Sequence, residues 1–431
     1  MSYVNFEPLR ELQQKVANYN ALLTELGSKE DATRIAGKLE AILIDALEET
    51  KTLVAGKLES PEEPNDYAAI RKLCQGGNAP AKNIPDLKEK MAGAVLGRFA
   101  GCTLGVPVEM YSIEKMQALA KHCGMDYPPR DYWTKVDREY DIQYETDKRI
   151  NYTKDGINGV PVDDDITYTI LGLLIVERYG FNFTTDDVGE IWKEILPVAC
   201  TAEDVALKNL KAGIPASEAG IVDNPYILWI GADIRSDGFA FAAAGNPELA
   251  AAMGYQDAFL THRRGGIYGE MYFAAAQAAA FVVKDSVEAL RIALREVPKT
   301  CELYRDIEWA LETGPSIKDY KAARKAVDER FAGMSPVHTN NNACLTIFGL
   351  MLGKGNFTET IANVVAMGLD NDCTAATAGS IIGAIVGRKG IESHWTMNFN
   401  DKIRTYLTGL PELSIEDVIT RFVRLSEKAM S

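Results

Sequence analysis

Gly93-Ala94-Val95-Leu96-Gly97-Arg98-Phe99-Ala100-Gly101-Cys102-Thr103-Leu104-Gly105 sets a glycine at every fourth position of a largely apolar stretch. In a helix this spacing puts the glycines on one face, where a second backbone can approach closely. Each glycine costs about 1 kcal/mol of helix propensity relative to alanine, so tight packing must offset the cost. Gly379, Gly383 and Gly387 repeat the pattern. Neither run is a dinucleotide fingerprint, because the glycines lie inside a helical repeat and follow no strand.

Working outward, helical spacing dominates the chain. It covers 88–104, 165–179, 203–212, 247–260, 269–283, 286–296, 303–312, 319–330, 342–352, 358–366, 374–387 and 415–429. Period-two alternation is weak and confined to Tyr132–Tyr144 and Ile150–Tyr152, where a small hairpin is expected. The fold class is therefore all-α, with many helices around one core. Upstream, Leu9, Leu12, Val16, Leu22, Leu23 and Leu26, then Ile35, Leu39, Ile42, Leu43 and Leu47, predict a helical hairpin over residues 5–60. With a boundary near residue 85, residues 1–85 form an N-terminal helical extension, expected to pack on the body or on a partner subunit. Residues 86–431 form the body, the part expected to carry any catalytic site.

The 431 residues are 47% hydrophobic and 25% charged, an ordinary globular balance. A net charge of -15 argues against non-specific nucleic-acid binding. It leaves room for an anionic substrate, since a bound divalent cation inverts the local field. The seven cysteines form no Cys-x-x-Cys pair, which suits a reducing compartment without structural zinc. No secretory signal is read at MSYVNFEPLRELQQ, and Cys373–Gly387 is too short to span a bilayer. A cytoplasmic protein with no membrane partner is expected. The sequence leaves its oligomeric state open.

Two acidic clusters each precede an apolar helix start: Asp163-Asp164-Asp165 before Ile166-Thr167-Tyr168, and Asp370-Asn371-Asp372 before Cys373-Thr374. One aspartate serves as a helix cap. Three in a row repel one another unless a cation is shared among them. Hard cations such as Mg²⁺ take several carboxylate oxygens and fill the rest with water. Neither cluster has the spacing of a calcium loop, so the two would have to meet in space. The four histidines show no His-Glu-x-x-His spacing, and no Gly-x-Ser-x-Gly elbow or phosphate loop is present. His338 is expected to cap the 342–352 helix, and the stretch 110–160 to form a lid.

These residues resemble the ADP-ribosylglycohydrolase family, which includes the dinitrogenase-reductase-activating glycohydrolases and the ADP-ribosyl-arginine and ADP-ribosyl-serine hydrolases. The resemblance spans about residues 90–390. Gly93 to Glu109 resembles the family's opening helix, ending in Leu-Gly-x-Pro-x-Glu. Asp163 to Thr169 resembles Thr-Asp-Asp-Thr-x-Met-Thr. Ile230-Gly231-Ala232-Asp233-Ile234-Arg235 loosely resembles Asn-Gly-Ala-x-Met-Arg. Thr261-His262, with Gly266 and Gly269, resembles the family's Thr-His segment. Gly368 to Thr374 resembles Gly-x-Asp-x-Asp-Thr. This chain departs from the pattern at Asp163, Ile166 and Cys373, each standing where the family has threonine.

The resemblance implies a metal-dependent hydrolase that cleaves a ribosyl N- or O-glycosidic bond, most simply removing ADP-ribose from a modified acceptor protein. Asp163, Asp164, Asp165, Asp370 and Asp372 would bind one or two Mg²⁺ ions, with Mn²⁺ as the alternative. A neutral Cys373 thiol is a poor Mg²⁺ ligand, so its contact would pass to Thr374 or water. Glu109 would be the catalytic carboxylate. His262 and Gly231 would hold the substrate, and Tyr168 would stack on adenine. Two alternatives stay open: hydrolysis of a free nucleoside, nucleotide or other small ribosyl glycoside, and silent binding of ADP-ribose, since lens-crystallin relatives keep the fold without activity.

Overall fold

The computed structural model describes residues 3–431. It divides into two compact units: the segment ending at Pro61 together with Phe331–Met334, and Glu62–Arg330 together with Ser335–Ser431. In the first, helices Glu7–Glu25 and Lys29–Ala55 form a hairpin. Gly27 turns the chain with φ 89, and the Ser28 amide donates to the Leu23 carbonyl at 3.0 Å.

The second unit is all-α. Among the described residues, strands are limited to two antiparallel pairs of two strands each. Its centre is the glycine helix Leu87–Gly105, which runs against Asn371–Val386. A Cβ added at Gly93 would lie 2.1 Å from the Gly383 carbonyl oxygen, at Gly97 2.2 Å from that of Gly379, and at Gly101 2.1 Å from that of Ala375. At Gly105 it would lie 2.3 Å from Asp372 Cα. These contacts fix an antiparallel register in which only hydrogen fits between the backbones. They also bring the C-terminal end of the first helix to the N-terminal end of the second. The segment Leu87–Val108 has the length and hydropathy of a membrane span, and its apolar stretch from Met91 on is buried inside the fold.

A third helix, Asp164–Tyr179, meets Ser236–Ala242 at another glycine pair. A Cβ on Gly172 would stand 3.1 Å from Gly238 Cα. Arg98, fully buried in the glycine helix, ties all three helices together. Its Nη2 donates to Asp165 Oδ1 at 2.7 Å, and its Nε pairs with Asp237 Oδ2 at 2.8 Å.

Residues 62–85, placed with the extension from sequence, bond within the second unit. Arg71 pairs with Glu296 at 2.5 Å and Glu248 at 2.9 Å, and Asn78 Nδ2 donates to Glu296 Oε1 at 2.6 Å. The expected small hairpin is shorter than its sequence signal. Ile142–Gln143 pairs with Asp147–Lys148, while Arg149–Tyr152 forms a 3-10 turn. A second pair, Ile403–Arg404 with Glu412–Leu413, had no sequence signal.

Candidate active site

The helix register carries both acidic clusters to one place. Asp163 is the N-cap of Asp164–Tyr179 and accepts from the Asp165 amide at 3.0 Å. Asp370 precedes the first turn of Asn371–Val386. Three overlapping groups of ligand atoms result, each with its atoms within 4.8 Å of one another: Cys102–Asp163–Asp165, Asp165–Asp372–Cys373, and Glu109–Asp370–Asp372. Asp165 and Asp372 join the two clusters, and Asp370 and Asp372 bring in Glu109. Asp164, half-buried, lines the adjoining cleft.

The backbone that presents Glu109 is clamped on both sides. After Gly105 the chain makes a 3-10 turn, Val106–Val108, where Pro107 fits the first turn of a helix. Arg149 Nη2 donates to the Pro107 carbonyl at 2.6 Å, and Asn371 Nδ2 to the Val365 carbonyl at 3.0 Å with a longer reach of 3.5 Å to that of Val108. The Met110 amide donates to the Leu369 carbonyl at 3.0 Å. Both of these residues are non-glycine with φ near +60°, Met110 at 62 and Leu369 at 63. Such conformations cost about 1–3 kcal/mol each and gather at functional sites. Here they flank Glu109 and Asp370.

The electrostatics are those of crowded, buried carboxylates. Burial, then the neighbouring Asp164 and Asp165 charges, holds Asp163 well above the usual carboxylate range. Burial, then Glu109 and Asp370, does the same to Asp372. Burial pushes Asp165 up to about 7 although the Arg98 guanidinium opposes it. Glu109 keeps solvent contact at the cleft, yet the protein crowded around its carboxyl, then Asp370 and Asp164, pushes it up to about 8. Asp165 Oδ2 and Asp372 Oδ1 are buried and find no hydrogen-bond donor among the described residues. Orphaned buried carboxylate oxygens are costly unless they coordinate a metal, so this oxygen-rich set fits a divalent cation. The Thr374 hydroxyl donates to the Asp370 carbonyl at 2.9 Å, and the Cys373 thiol stands where a family threonine is expected.

A family model for ADP-ribosylglycohydrolase matches residues 83–426. The chain belongs to the ADP-ribosylglycohydrolase family. A solved structure described as an "ADP-ribosylglycohydrolase-related protein complex" aligns with a TM-score of 0.50 at 18% identity, covering 79% of this chain and 99% of that one. At that identity it speaks for the fold alone. No curated protein matches the sequence. Family and carboxylate clusters together support a metal-dependent hydrolase of the ADP-ribosylglycohydrolase type.

Beside the carboxylates lies a cavity of about 270 Å³. Glu109, Asp164, Asp370, Asp372 and Cys373 line it on the acidic side, and Tyr144, Tyr168, Glu203, Trp229 and Gly231 line much of the rest. Gly231 and Tyr168 are both among its lining residues. Tyr168 is almost wholly buried, with the Trp192 ring at 5.6 Å and the Arg235 guanidinium at 5.6 Å, so protein already occupies its surroundings. Tyr144 and Trp229 are the half-buried aromatics there. Tyr144 stacks on Tyr406 at 5.0 Å and comes from the short hairpin inside the stretch expected to form a lid.

His262 is absent from the lining. It is fully buried, Nδ1 lies 2.6 Å from Thr261 Oγ1, and burial followed by Arg235 lowers its pKa well below the usual value. His338 does cap its helix, Thr339–Gly353, with Nδ1 accepting from the Asn340 amide at 3.1 Å. Sequence reasoning missed Arg98, Asn371, Glu203 and Tyr144. Arg98 had a readable signal, as the one charge between Met91 and Gly105. Glu203 had none, because its partner Arg235 is remote in sequence.

Proposed function

We propose that the protein hydrolyses a ribosyl N- or O-glycosidic bond with a divalent cation, Mg²⁺ or Mn²⁺, held by Asp165, Asp370 and Asp372. Asp163 and Asp164 support the site from the adjoining helix start. The observation that carries this reading is the meeting of two sequence-distant aspartate clusters with Glu109, leaving Asp165 Oδ2 and Asp372 Oδ1 without donors. When bound, the cation supplies positive charge that holds sugar hydroxyls and polarises water.

The chain's own residues supply the remainder. Glu109 stands with its carboxyl among Asp370 and Asp372 and keeps its proton near neutrality, which suits a group that donates to the departing heteroatom. After the bond breaks, the same carboxylate takes a proton from water. The surrounding carboxylates stabilise the positive charge of an oxocarbenium-like transition state. Tyr144 and Trp229 narrow the cleft and restrict water.

Of the expected substrates, ADP-ribose on a modified acceptor is favoured by the family's description, with a free small ribosyl glycoside as the alternative. The working compartment we propose is the cytoplasm, where cysteines stay reduced. The test is release of free sugar from ribosyl glycosides by the Mn²⁺-loaded protein. Glu109→Gln is expected to lower kcat by about 10²–10⁴-fold while metal is still taken up. Undiminished turnover in that variant would remove Glu109 from the mechanism.

A further inference from the structure

The N-terminal hairpin has no core of its own. Helix Glu7–Glu25 buries no side chain, and Lys29–Ala55 buries only Ala32. Yet both helices are written in heptads. Leu9, Leu12, Val16, Tyr19, Leu23 and Leu26 alternate three and four residues apart, and so do Ala32, Ile35, Leu39, Ile42 and Ala46. That spacing is the signature of helices that pack side by side along an apolar seam.

The hairpin uses only half of each heptad. Val16 and Leu23 on the first helix, and Ala32, Leu39 and Leu43 on the second, are the more covered apolar side chains and mark the seam between the two helices. The alternate positions stay in solvent. Leu12 is 58% exposed, Tyr19 65%, Leu26 73%, Ile42 56% and Leu53 65%, with Ile35 at 37%. At about 100° per residue, each of these rows lies roughly 80° to one side of its own seam, in the same rotational sense. In an antiparallel pair, equal turns of the same sense bring the two rows onto one face. The hairpin therefore carries a single apolar face along its length, as half of a four-helix bundle does.

Area and charge say what covers it. Each of these side chains leaves on the order of 100 Å² uncovered, so the face, with Leu9 and Leu22 at its margins, presents roughly 800 Å², the amount each partner contributes to a standard stable interface. Patches on monomers are usually smaller, about 300–600 Å². Lys15 and Lys38 border the face, and so do Asp31 and Asp45. A rim of both signs lets a two-fold related copy set lysine against aspartate, whereas a strongly basic or strongly acidic partner would meet like charge. A second hairpin also supplies helices of matching spacing and length.

We propose that this face is the surface through which the chain pairs with a second copy of itself, hairpin against hairpin. The two copies form a four-helix bundle with Leu12, Tyr19, Leu26, Ile35, Ile42 and Leu53 of each at its centre.

The test is sedimentation equilibrium of the full chain from about 100 µM downward, the range in which an interface of this size associates. The wild type is expected at twice the mass of one chain. Ile42→Glu is expected to weaken the association at least about tenfold, and Tyr19→Glu to do the same from the other helix. Ile44→Glu is the control. It places the same charge on another exposed isoleucine about 200° around the helix from Ile42, off the face, and is expected to leave the dimer unchanged. Circular dichroism is read on each variant, and if one of the two face variants loses its helical signal the other decides. A wild type that stays monomeric at the highest concentration overturns the proposal, as does an assembly of three or more copies. A dimer that both face variants leave intact, or that Ile44→Glu disrupts equally, overturns it too, because the contact then lies elsewhere.

Discussion

Arg98 is the residue on which the buried electrostatics turn. It is fully buried against Asp165 and Asp237, and the Thr169 hydroxyl donates to Asp237 Oδ2 at 2.5 Å. Removing one partner of such a group leaves buried charge uncompensated, at a cost of about 3–5 kcal/mol. Arg98→Ala is therefore expected to lower the urea midpoint strongly, whereas an unchanged midpoint would mean that the carboxylates are protonated and self-sufficient. Titration of the site gives a second expectation. Asp165 and Glu203 are held up at about 7 by burial, each against an opposing arginine. A carboxyl whose pKa is raised on folding stabilises the fold below its unfolded value and loses that contribution as pH rises through its folded value. The metal-free protein should thus lose thermal stability between about pH 4 and pH 7. Cation binding must displace those protons, so Mn²⁺ should raise the melting temperature more at pH 7.5 than at pH 5. A flat profile in thermal melts would contradict this. The sequence showed the aspartates at their helix starts, because local caps and clusters are written in consecutive residues. It could not show Glu203 facing Arg235, a pairing set only by tertiary packing.

At the scale of elements, the decisive object is the antiparallel pair Leu87–Gly105 and Asn371–Val386. Its register follows from glycine spacing alone, and the register carries Glu109 to Asp372. Gly101→Ala would drive a methyl to 2.1 Å from the Ala375 carbonyl, which must push the helices apart. The expected loss is about 1–3 kcal/mol or more, together with weaker metal affinity because Asp372 shifts. Gly37→Ala, in open space on helix Lys29–Ala55, is the control and should be neutral or stabilising by up to about 1 kcal/mol. Equal effects of both in chemical denaturation would refute the register argument. Outer helices such as Ile415–Met430 were readable because they bury one face, and the central ones because their apolar runs are too long for strands. Thr185–Ile195 went unread although Thr184 and Asp187 form a capping box and Val188, Ile191 and Trp192 are buried at helical spacing. The short strands were misplaced because two residues carry too little alternation to register.

For the whole molecule, the site is assembled from three segments, the last more than 200 residues beyond the other two, and all of its residues lie within the second unit. The all-α class and the N-terminal hairpin were legible in hydrophobic spacing. The convergence of the two aspartate clusters was expected from their composition, since neither alone has the spacing of a metal loop, while which helix ends carry them together is set by packing that spacing along the chain does not show. Deleting residues 1–61 is expected to leave Mn²⁺ affinity within about threefold, because none of that unit's described residues belongs to the groups of ligand atoms; a larger loss in titration would assign the hairpin a part in the site. The most direct test of the central claim is calorimetric titration of metal-free protein with Mg²⁺ and Mn²⁺, beside Asp372→Ala. Asp372 takes part in the group of ligand atoms that joins the two clusters and in the group that brings in Glu109. The account predicts saturable binding by the wild type and its loss in the variant, with the folded state of both verified by circular dichroism. Equal binding by the two proteins, or none by either, would mean that the aspartates cap helices and hold no catalytic cation.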